Sequence, residues 1–285
     1  MIYEIKSEEL TVKINTLGAE MISVVDTKGN EYIYQPSDIW IGQAKNQFPN
    51  VAIAKDDYAI MKGEKHPIHQ HGFLKIMELE ATEISEKEIS FSLKSNDATR
   101  VYYPYEFEFV IRFLIEGNQI KETYEVYNKD ADTMYFGVSC HTGFNAGEGS
   151  YIDMGKNTSL IELLRPKQHN LMSGEEAAFT MEDGKVPVNV EYLGAGARIL
   201  RNFEEKCITL NNPALHTAVE LEFSDFPVLT LWSTADAKEF VCMMPWHALP
   251  DYFDTNHIFE EKKGNISLEA GKSFSLNQYF RFFSI

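Results

Sequence analysis

The stretch YEFEFVIRFLIEGNQIKETYEVY, residues 105–127, contains two runs in which apolar and polar side chains alternate. This alternation is typical of β-strands that bury one face, because successive side chains point to opposite sides of a strand. The two runs are joined by Glu116-Gly117-Asn118-Gln119, and glycine followed by asparagine is favoured in tight turns that need a positive φ. The stretch therefore predicts a β-hairpin.

Similar strand patterns occur on both sides of this hairpin. They lie at residues 2–5, 10–15, 21–25, 31–34 and 88–94, and at 218–223, 228–233, 240–244 and 274–282. The segment 173–179, SGEEAAF, predicts one short helical turn. Many strands bounded by turns predict an all-β sandwich of large antiparallel sheets. Since no change of composition divides the chain, we expect a single domain spanning residues 1–285.

The composition narrows the choice of partners. Acidic residues outnumber basic ones by 43 to 26, which gives a formal net charge of −17. An acidic surface repels nucleic-acid phosphates and anionic lipid heads, and no run approaches the roughly 18 apolar residues of a membrane-spanning helix. We therefore expect neither a nucleic acid nor a membrane as a partner.

The cysteines and the first six residues indicate the cellular compartment. Cys140, Cys207 and Cys242 are odd in number and widely spaced, which favours reduced thiols over disulfides or a zinc site. Residues 1–6 lack a basic region followed by an apolar core. We expect a cytoplasmic protein.

Two histidines lie in similar local contexts. His71 belongs to the segment 68–73, IHQHGF, and His141 to the segment 137–145, GVSCHTGFN. Histidine titrates near neutral pH, so two imidazoles facing one cavity could bind a hydroxyl-rich ligand and exchange protons with it. Either could instead be an ordinary buried histidine. Cys140 adjoins His141, but neighbouring side chains on a strand point to opposite faces, which argues against a Cys/His nucleophile.

These segments, taken in order, resemble the aldose 1-epimerase (galactose mutarotase-like) family in its shorter bacterial branch. The matching segments are 15–23 (NTLGAEMIS), 47–51 (QFPNV), 69–73 (HQHGF), 103–107 (YPYEF), 137–144, 231–233 (LWS) and Pro245-Trp246. The resemblance implies a β-supersandwich with a concave sugar-binding face. It also implies that hexose anomers interconvert by ring opening and reclosure without a cofactor, with His141 giving a proton to the ring oxygen and His71 binding the sugar.

Three positions depart from the family pattern. The family's arginine is replaced by Ala52-Ile53, and its sugar-holding aspartate aligns with Lys206, with Glu205 one register away. The family's catalytic glutamate precedes Pro-Trp, and Met244 stands there. Methionine cannot accept a proton, and the loss of a general base lowers rates by roughly 10²–10⁴. The resemblance thus implies His141 as the catalytic residue, and His71, Trp246, Lys206 and Met244 as residues that contact the substrate.

Several alternatives stay open at the level of sequence. Asp251, Asp254, His247 or Asp57 could replace the missing base. No metal is expected, because His66, His69 and His71 lack a carboxylate or cysteine at suitable spacing.

The ligand and the activity also stay open. The expected partner is a small-molecule sugar, and the sequence leaves open a homodimer. The protein could be an aldose 1-epimerase-like isomerase or a non-catalytic sugar-binding or sensing protein. A third alternative is action on a phosphorylated sugar, which the overall acidity disfavours unless Lys55 and Lys206 form a local exception.

Overall fold

The computed structural model describes residues 1–42, 44–165, 170–194, 196–236 and 239–285, without the side chain of Ala44. Over these residues the chain forms short helices and many strands. The helices are α1 (Asp97–Arg100), α2 (Val190–Leu193) and three single 3-10 turns at Lys55–Asp57, Leu74–Ile76 and Phe259–Glu261. The strands β1 to β23 are, in chain order, Ile2–Lys6, Leu10–Asn15, Glu20–Asp26, Ala44–Gln47, Tyr58–Met61, Glu64–Pro67, Glu80–Ile84, Glu88–Lys94, Phe107–Glu116, Gln119–Asn128, Met134–Phe136, Val138–Asn145, Tyr151–Asp153, Leu160–Leu163, Glu176–Phe179, Lys185–Pro187, Arg198–Arg201, Cys207–Asn212, Thr217–Glu222, Val228–Trp232, Phe240–His247, Ile266–Leu268 and Ser273–Ser284.

Two large antiparallel sheets dominate the described part of the chain. One has nine strands in the order β16-β13-β18-β19-β23-β10-β9-β8-β7, and the other has seven in the order β15-β14-β17-β20-β21-β12-β4. The hairpin at 105–127 forms β9 and β10 in the nine-stranded sheet, where Glu116 pairs with Gln119 across the turn. Gly117 has a φ of 55°, as the turn requires. The prediction of an all-β sandwich with large antiparallel sheets is confirmed.

The seven-stranded sheet packs apolar side chains on both faces. Along β21, Val241 and Met243 belong to the main core, which also contains the aromatic side chains of the hairpin. The intervening Cys242, Met244 and Trp246 belong to a second, smaller cluster. Because alternate residues of a strand point to opposite faces, this second cluster marks the face of the sheet that points away from the main core. We call it the cavity face.

Some local predictions differ from the structure. The strand at 88–94 is confirmed as β8, whereas the helical turn at 173–179 is wrong: Glu176–Phe179 forms strand β15, paired with β14. Pairing with a neighbouring strand therefore outweighs the helix propensity of Glu and Ala there. Helix α1 was not predicted, because its four residues are too few to set up a helical period.

Other expectations about the whole chain stay predictions. These are the single domain, the cytoplasmic location and the homodimer. None of the helices in the described residues has the length and apolar character needed to cross a bilayer.

Candidate functional site

A cavity of about 710 Å³ opens on the cavity face of the seven-stranded sheet. Its volume lies within the roughly 300–1,000 Å³ of typical small-molecule sites. His71 and His141 both line it, although they are far apart in sequence. The apolar side chains of the lining include Trp40, Trp232, Met244 and Trp246.

Strand register brings the central residues into one row. His141 on β12 pairs directly with Lys45 on β4. On the other side of β12, the pairs Ser139–Trp246 and Gly143–Cys242 place Met244 across from His141. Directly opposed residues in an antiparallel pair project from the same face. His141 therefore lies between Lys45 and Met244 on the cavity face, while its neighbour Cys140 belongs to the main core.

His71 is held by an unusual loop between β6 and the 3-10 turn at 74–76. Its φ is 66°, and its backbone N–H donates to Ala52 O at 2.7 Å. The next residue, Gly72, lies against the backbone of Phe48, and a Cβ atom at Gly72 would lie 2.1 Å from Phe48 O. Only glycine permits this close approach. The close packing fixes the loop beside Phe48, so His71 projects into the cavity.

The hydrogen bonds of His71 indicate its tautomer. Its Nε2 lies 3.3 Å from the amide nitrogen of Gln70, and its Nδ1 lies 2.8 Å from Oε1 of Gln47. An amide nitrogen only donates and an amide oxygen only accepts. The backbone N–H of Ala52 lies 3.2 Å from His71 Nδ1 and 3.3 Å from Gln47 Oε1, so it donates to Gln47 when Nδ1 carries a proton. The contacts are then satisfied when Nδ1–H donates to Gln47 and Nε2 accepts from Gln70. In this tautomer the Nε2 lone pair is the proton-accepting position of His71.

The imidazoles of His71 and His141 lie close together. Their ring centroids are 5.3 Å apart and the ring planes meet at 80°. Burial, with a smaller contribution from charge repulsion by Lys75, lowers the pKa of His141 from 6.5 to about 4. Burial likewise holds the pKa of His71 well below its usual value, with smaller contributions from His141 and Lys75. Both rings are therefore neutral at pH 7, and the buried Nδ1 of His141 has no hydrogen-bond partner among the described residues.

Tryptophans form the walls around the histidines. Trp40 stacks on Phe240 with centroids 4.6 Å apart, and its ring centroid lies 5.4 Å from that of His141. Trp232 lies edge-on to His141, also at 5.4 Å. Trp246 is 3% exposed, and its buried Nε1 lacks a partner among the described residues. An apolar wall with a few polar atoms is the lining that fits a sugar ring.

Cations line the rim, and the sequence reasoning missed them. Lys45, Lys75 and Arg165 all border the cavity, whereas none of the described lining residues is Asp or Glu. The sequence does hold a signal for one of them. Lys45 precedes Gln47 of the Phe-Pro segment by two residues, so the two share a face if that segment is a strand.

Lys206, predicted to contact the substrate, does not line the cavity. It flanks β18 of the other large sheet, and its Nζ donates to Ser224 O at 3.1 Å. Its alignment with the family's aspartate is therefore corrected. Lys55 is also outside the cavity, with its Nζ donating to Phe253 O at 2.7 Å.

The structure brings none of the four substitute bases into the cavity lining. Asp251 is buried and paired with Lys262 at 2.6 Å, and it also accepts from the backbone N–H of Lys55. His247 lies on the opposite face of β21, with its ring 5.7 Å from that of Phe274. Two further candidates are exposed outside the cavity: Asp57 and Asp254. In the described residues no group of three or more His, Cys, Asp or Glu side chains has a metal-binding arrangement.

Comparison with known proteins identifies the family. The sequence profile described as Aldose 1-epimerase matches residues 1–281. The chain belongs to the aldose 1-epimerase family. The plasmid and chromosomal LacX proteins of Lactococcus lactis subsp. lactis are each 28% identical to it over 277 residues, covering 92% of this chain and 93% of theirs.

Solved structures support the same fold. A galactose mutarotase related enzyme from Lactobacillus acidophilus superposes with a TM-score of 0.93 at 27% identity, covering all of this chain and 98% of that one. A galactose mutarotase-like protein from Lactobacillus casei ATCC 334 has a TM-score of 0.92 at 24% identity, covering 99% of this chain and all of that one. The family and the fold together support an epimerase-like or mutarotase-like function on a sugar.

Proposed function

We propose that the cavity binds an aldohexose and interconverts its anomers, with His71 and His141 exchanging protons with the sugar. The observation that carries the proposal is the pair of imidazoles 5.3 Å apart at the cavity wall. Ring opening needs one group to accept the proton of the anomeric hydroxyl and another to give a proton to the ring oxygen. Two histidines provide both functions without a cofactor.

The tautomer of His71 suggests how the roles divide. Its Nε2 lone pair accepts the anomeric proton as the C1–O5 bond breaks and the aldehyde forms. His141 gives a proton to O5, as the family resemblance implies. Rotation about C1–C2 and reclosure with reversed proton transfers then give the other anomer. His71 thus takes over the role that a glutamate has in the family.

The pKa of His141 indicates that this catalysis is slow. With a pKa of about 4, only about one His141 ring in a thousand is the doubly protonated imidazolium at pH 7. Met244, 1% exposed, supplies no charge to stabilise the imidazolium. We therefore expect acceleration of anomer exchange well below that of a site with a carboxylate base.

A second function is favoured by Met244, which stands where the family has its base. A cavity that keeps its histidines and tryptophans but has methionine in place of a base suits binding without turnover. In that case the protein is a sugar-binding or sensing protein.

Anomer exchange distinguishes the two functions. Freshly dissolved α-anomers of glucose, galactose and their 6-phosphates are followed by polarimetry or NMR with wild-type protein, H141A and H69A. His69 is an exposed histidine two residues from His71 and outside the cavity lining, so it is the matched control. Catalysis predicts acceleration that H141A abolishes and H69A retains. Sugar-induced shifts of protein resonances without acceleration would favour the binding protein, and neither effect with any sugar would refute the proposal.

A further inference from the structure

We propose that the sugar bound in this cavity carries an anionic group, a phosphate ester or a carboxylate, and that Lys75, the cation whose charge reaches both His71 and His141, binds that group. This inference rests on the proposed function and adds the substrate class. It is carried by the charge of the cavity, which is opposite in sign to that of the whole chain.

The contrast with the rest of the protein is large. The chain carries 43 acidic and 26 basic residues, yet the described cavity lining holds three Lys or Arg side chains and no carboxylate. The residues outside the described ranges are Gln43, Pro166, Lys167, Gln168, His169, Ala195, Ala237 and Lys238. None of these is acidic, so they add no carboxylate to the lining.

Lys75 and Arg165 have only neutral hydrogen-bond partners among the described residues. Lys75 Nζ donates to Gln70 O at 2.5 Å. The Arg165 guanidinium donates to Ala197 O at 2.7 Å and to Asn170 Oδ1 at 3.3 Å. Neither forms an ion pair within the described part of the chain.

The nearby carboxylates are already paired with other cations. Glu162 is the carboxylate that raises the pKa of Arg165 by charge attraction, but it forms its ion pair with Arg198, at 3.0 Å. Among the described cations of the lining, Lys45 forms an ion pair, since its Nζ lies 2.7 Å from the carboxylate of Glu20. Lys75 and Arg165 therefore have no ion-pair partner among the described residues, although Glu162 attracts Arg165 from beyond ion-pair distance.

Burial makes this arrangement unfavourable without a ligand. Both side chains are half-buried, and desolvation lowers the pKa of each, with Lys45 adding repulsion at Lys75 and Arg198 at Arg165. A bound anion supplies the ion-pair partner that a neutral hexose does not supply.

An anionic substrate also changes the pKa values of the two histidines. Lys75 is the cation that lowers the pKa of both His71 and His141 by repulsion. An anion bound at Lys75 offsets that repulsion and raises the pKa of both histidines. The charged substrate then increases the protonated fraction of His141, the group that gives a proton to the ring oxygen.

Binding is measured by calorimetry or protein NMR with the full chain. The probes are D-glucose, D-galactose, their 6-phosphates, D-glucuronate, D-galacturonate and inorganic phosphate. We expect one anionic class to bind at least about tenfold more tightly than the neutral hexoses, with the preference shrinking as salt is raised. Whether the phosphates or the uronates are preferred identifies the anionic group.

Variants locate the site. K75Q and R165Q remove one charge each, and K55Q is the matched control, because Lys55 also donates to a backbone carbonyl but lies outside the cavity lining. The preference should fall about tenfold in K75Q, fall less in R165Q, and persist in K55Q, whose affinity for neutral hexose should match that of the wild type.

Equal affinity for neutral and anionic hexoses would overturn this inference and leave the proposed function intact. If no sugar of either kind binds, both are refuted. If both charge variants fail to fold, the preference and its salt dependence in the wild-type protein still decide the matter.

Discussion

The ring of His71 meets the ring of His141 edge-on, with centroids 5.3 Å apart. One histidine comes from a loop with a positive φ, and the other from the middle of β12. Their contact joins the loop to the seven-stranded sheet at the cavity wall. The same proximity gives His141 a share in lowering the pKa of His71. A ligand in the cavity therefore meets two neutral imidazoles that differ in their hydrogen-bond partners.

Restoring a carboxylate at Met244 should increase activity. The register places position 244 across from His141, so M244E puts an anion beside that ring and favours its protonated form. We expect anomer exchange of neutral hexoses to rise by roughly 10²–10⁴. M244Q has the same shape without the charge and is the control. A rate equal in M244E and M244Q would show that residue 244 does not act on the anomeric centre.

The loop that carries His71 should depend on Gly72. In G72A the new Cβ would lie 2.1 Å from Phe48 O, at a residue with φ of 69°. G29A is the control, since Gly29 also has a positive φ of 88°, but a Cβ atom added there would have no neighbouring atom within 4 Å. The backbone strain alone costs about 1–2 kcal/mol. We expect urea denaturation to show a larger loss of stability in G72A than in G29A, accompanied by loss of sugar binding in G72A alone.

Lowering the pH should destabilise the protein through His141. Its folded pKa of about 4 lies below the usual 6.5, so the unfolded chain binds the proton more tightly. The stabilising contribution is complete above pH 6.5 and is lost as the pH falls toward 4. By pH 5 the loss is about 2 kcal/mol. Urea denaturation of wild type and H141Q at pH 7 and pH 5 should show the wild type losing more stability by that amount, and parallel losses would contradict the pKa.

Raising the pH above neutrality should also destabilise the protein, in this case through Glu122. This carboxyl is buried beside Gln278, whose Nε2 donates to it at 2.5 Å, and burial raises its pKa to about 7. Because the folded pKa exceeds the unfolded value, the contribution is complete below pH 4.5 and is lost as the pH rises through 7. Between pH 5 and pH 8 the wild type should lose about 2–3 kcal/mol.

The matched variants for this prediction are E122Q and E116Q. E122Q should not lose this stability, whereas E116Q, at an exposed position of the same hairpin, should lose it as the wild type does. Identical pH dependence in E122Q and E116Q would show that Glu122 is ionised in the folded protein without penalty.

Local sequence patterns predicted the sheets well. The hairpin at 105–127 and the strand at 88–94 were found because alternation is a property of neighbouring residues. The segment 173–179 was wrong because strand β15 exists through its pairing with β14, which local sequence does not encode.

The site was predicted only where motifs mark it. His71, His141, Met244 and Trp246 belong to recognisable segments and all line the cavity. Lys206 lies in a segment with no such landmark, and its alignment placed it on the wrong sheet.

Long-range strand order explains why the cations were missed. Lys45 lies on β4, whereas Arg165 follows β14, five strands away in the seven-stranded sheet. Their shared cavity depends on an order of strands that local sequence does not specify. The overall charge of −17 also pointed away from an anionic ligand, because a net charge does not describe a single cavity.

The most direct test of the central claim is the rate of exchange at the anomeric carbon, measured by magnetisation-transfer NMR. It compares wild type, H71Q, H141Q and the double variant on the sugar that binds best. If the two imidazoles act on one sugar ring, each single variant lowers the rate, and the double variant is about as slow as the slower single variant. Exchange that stays at the wild-type rate in both single variants would contradict the account.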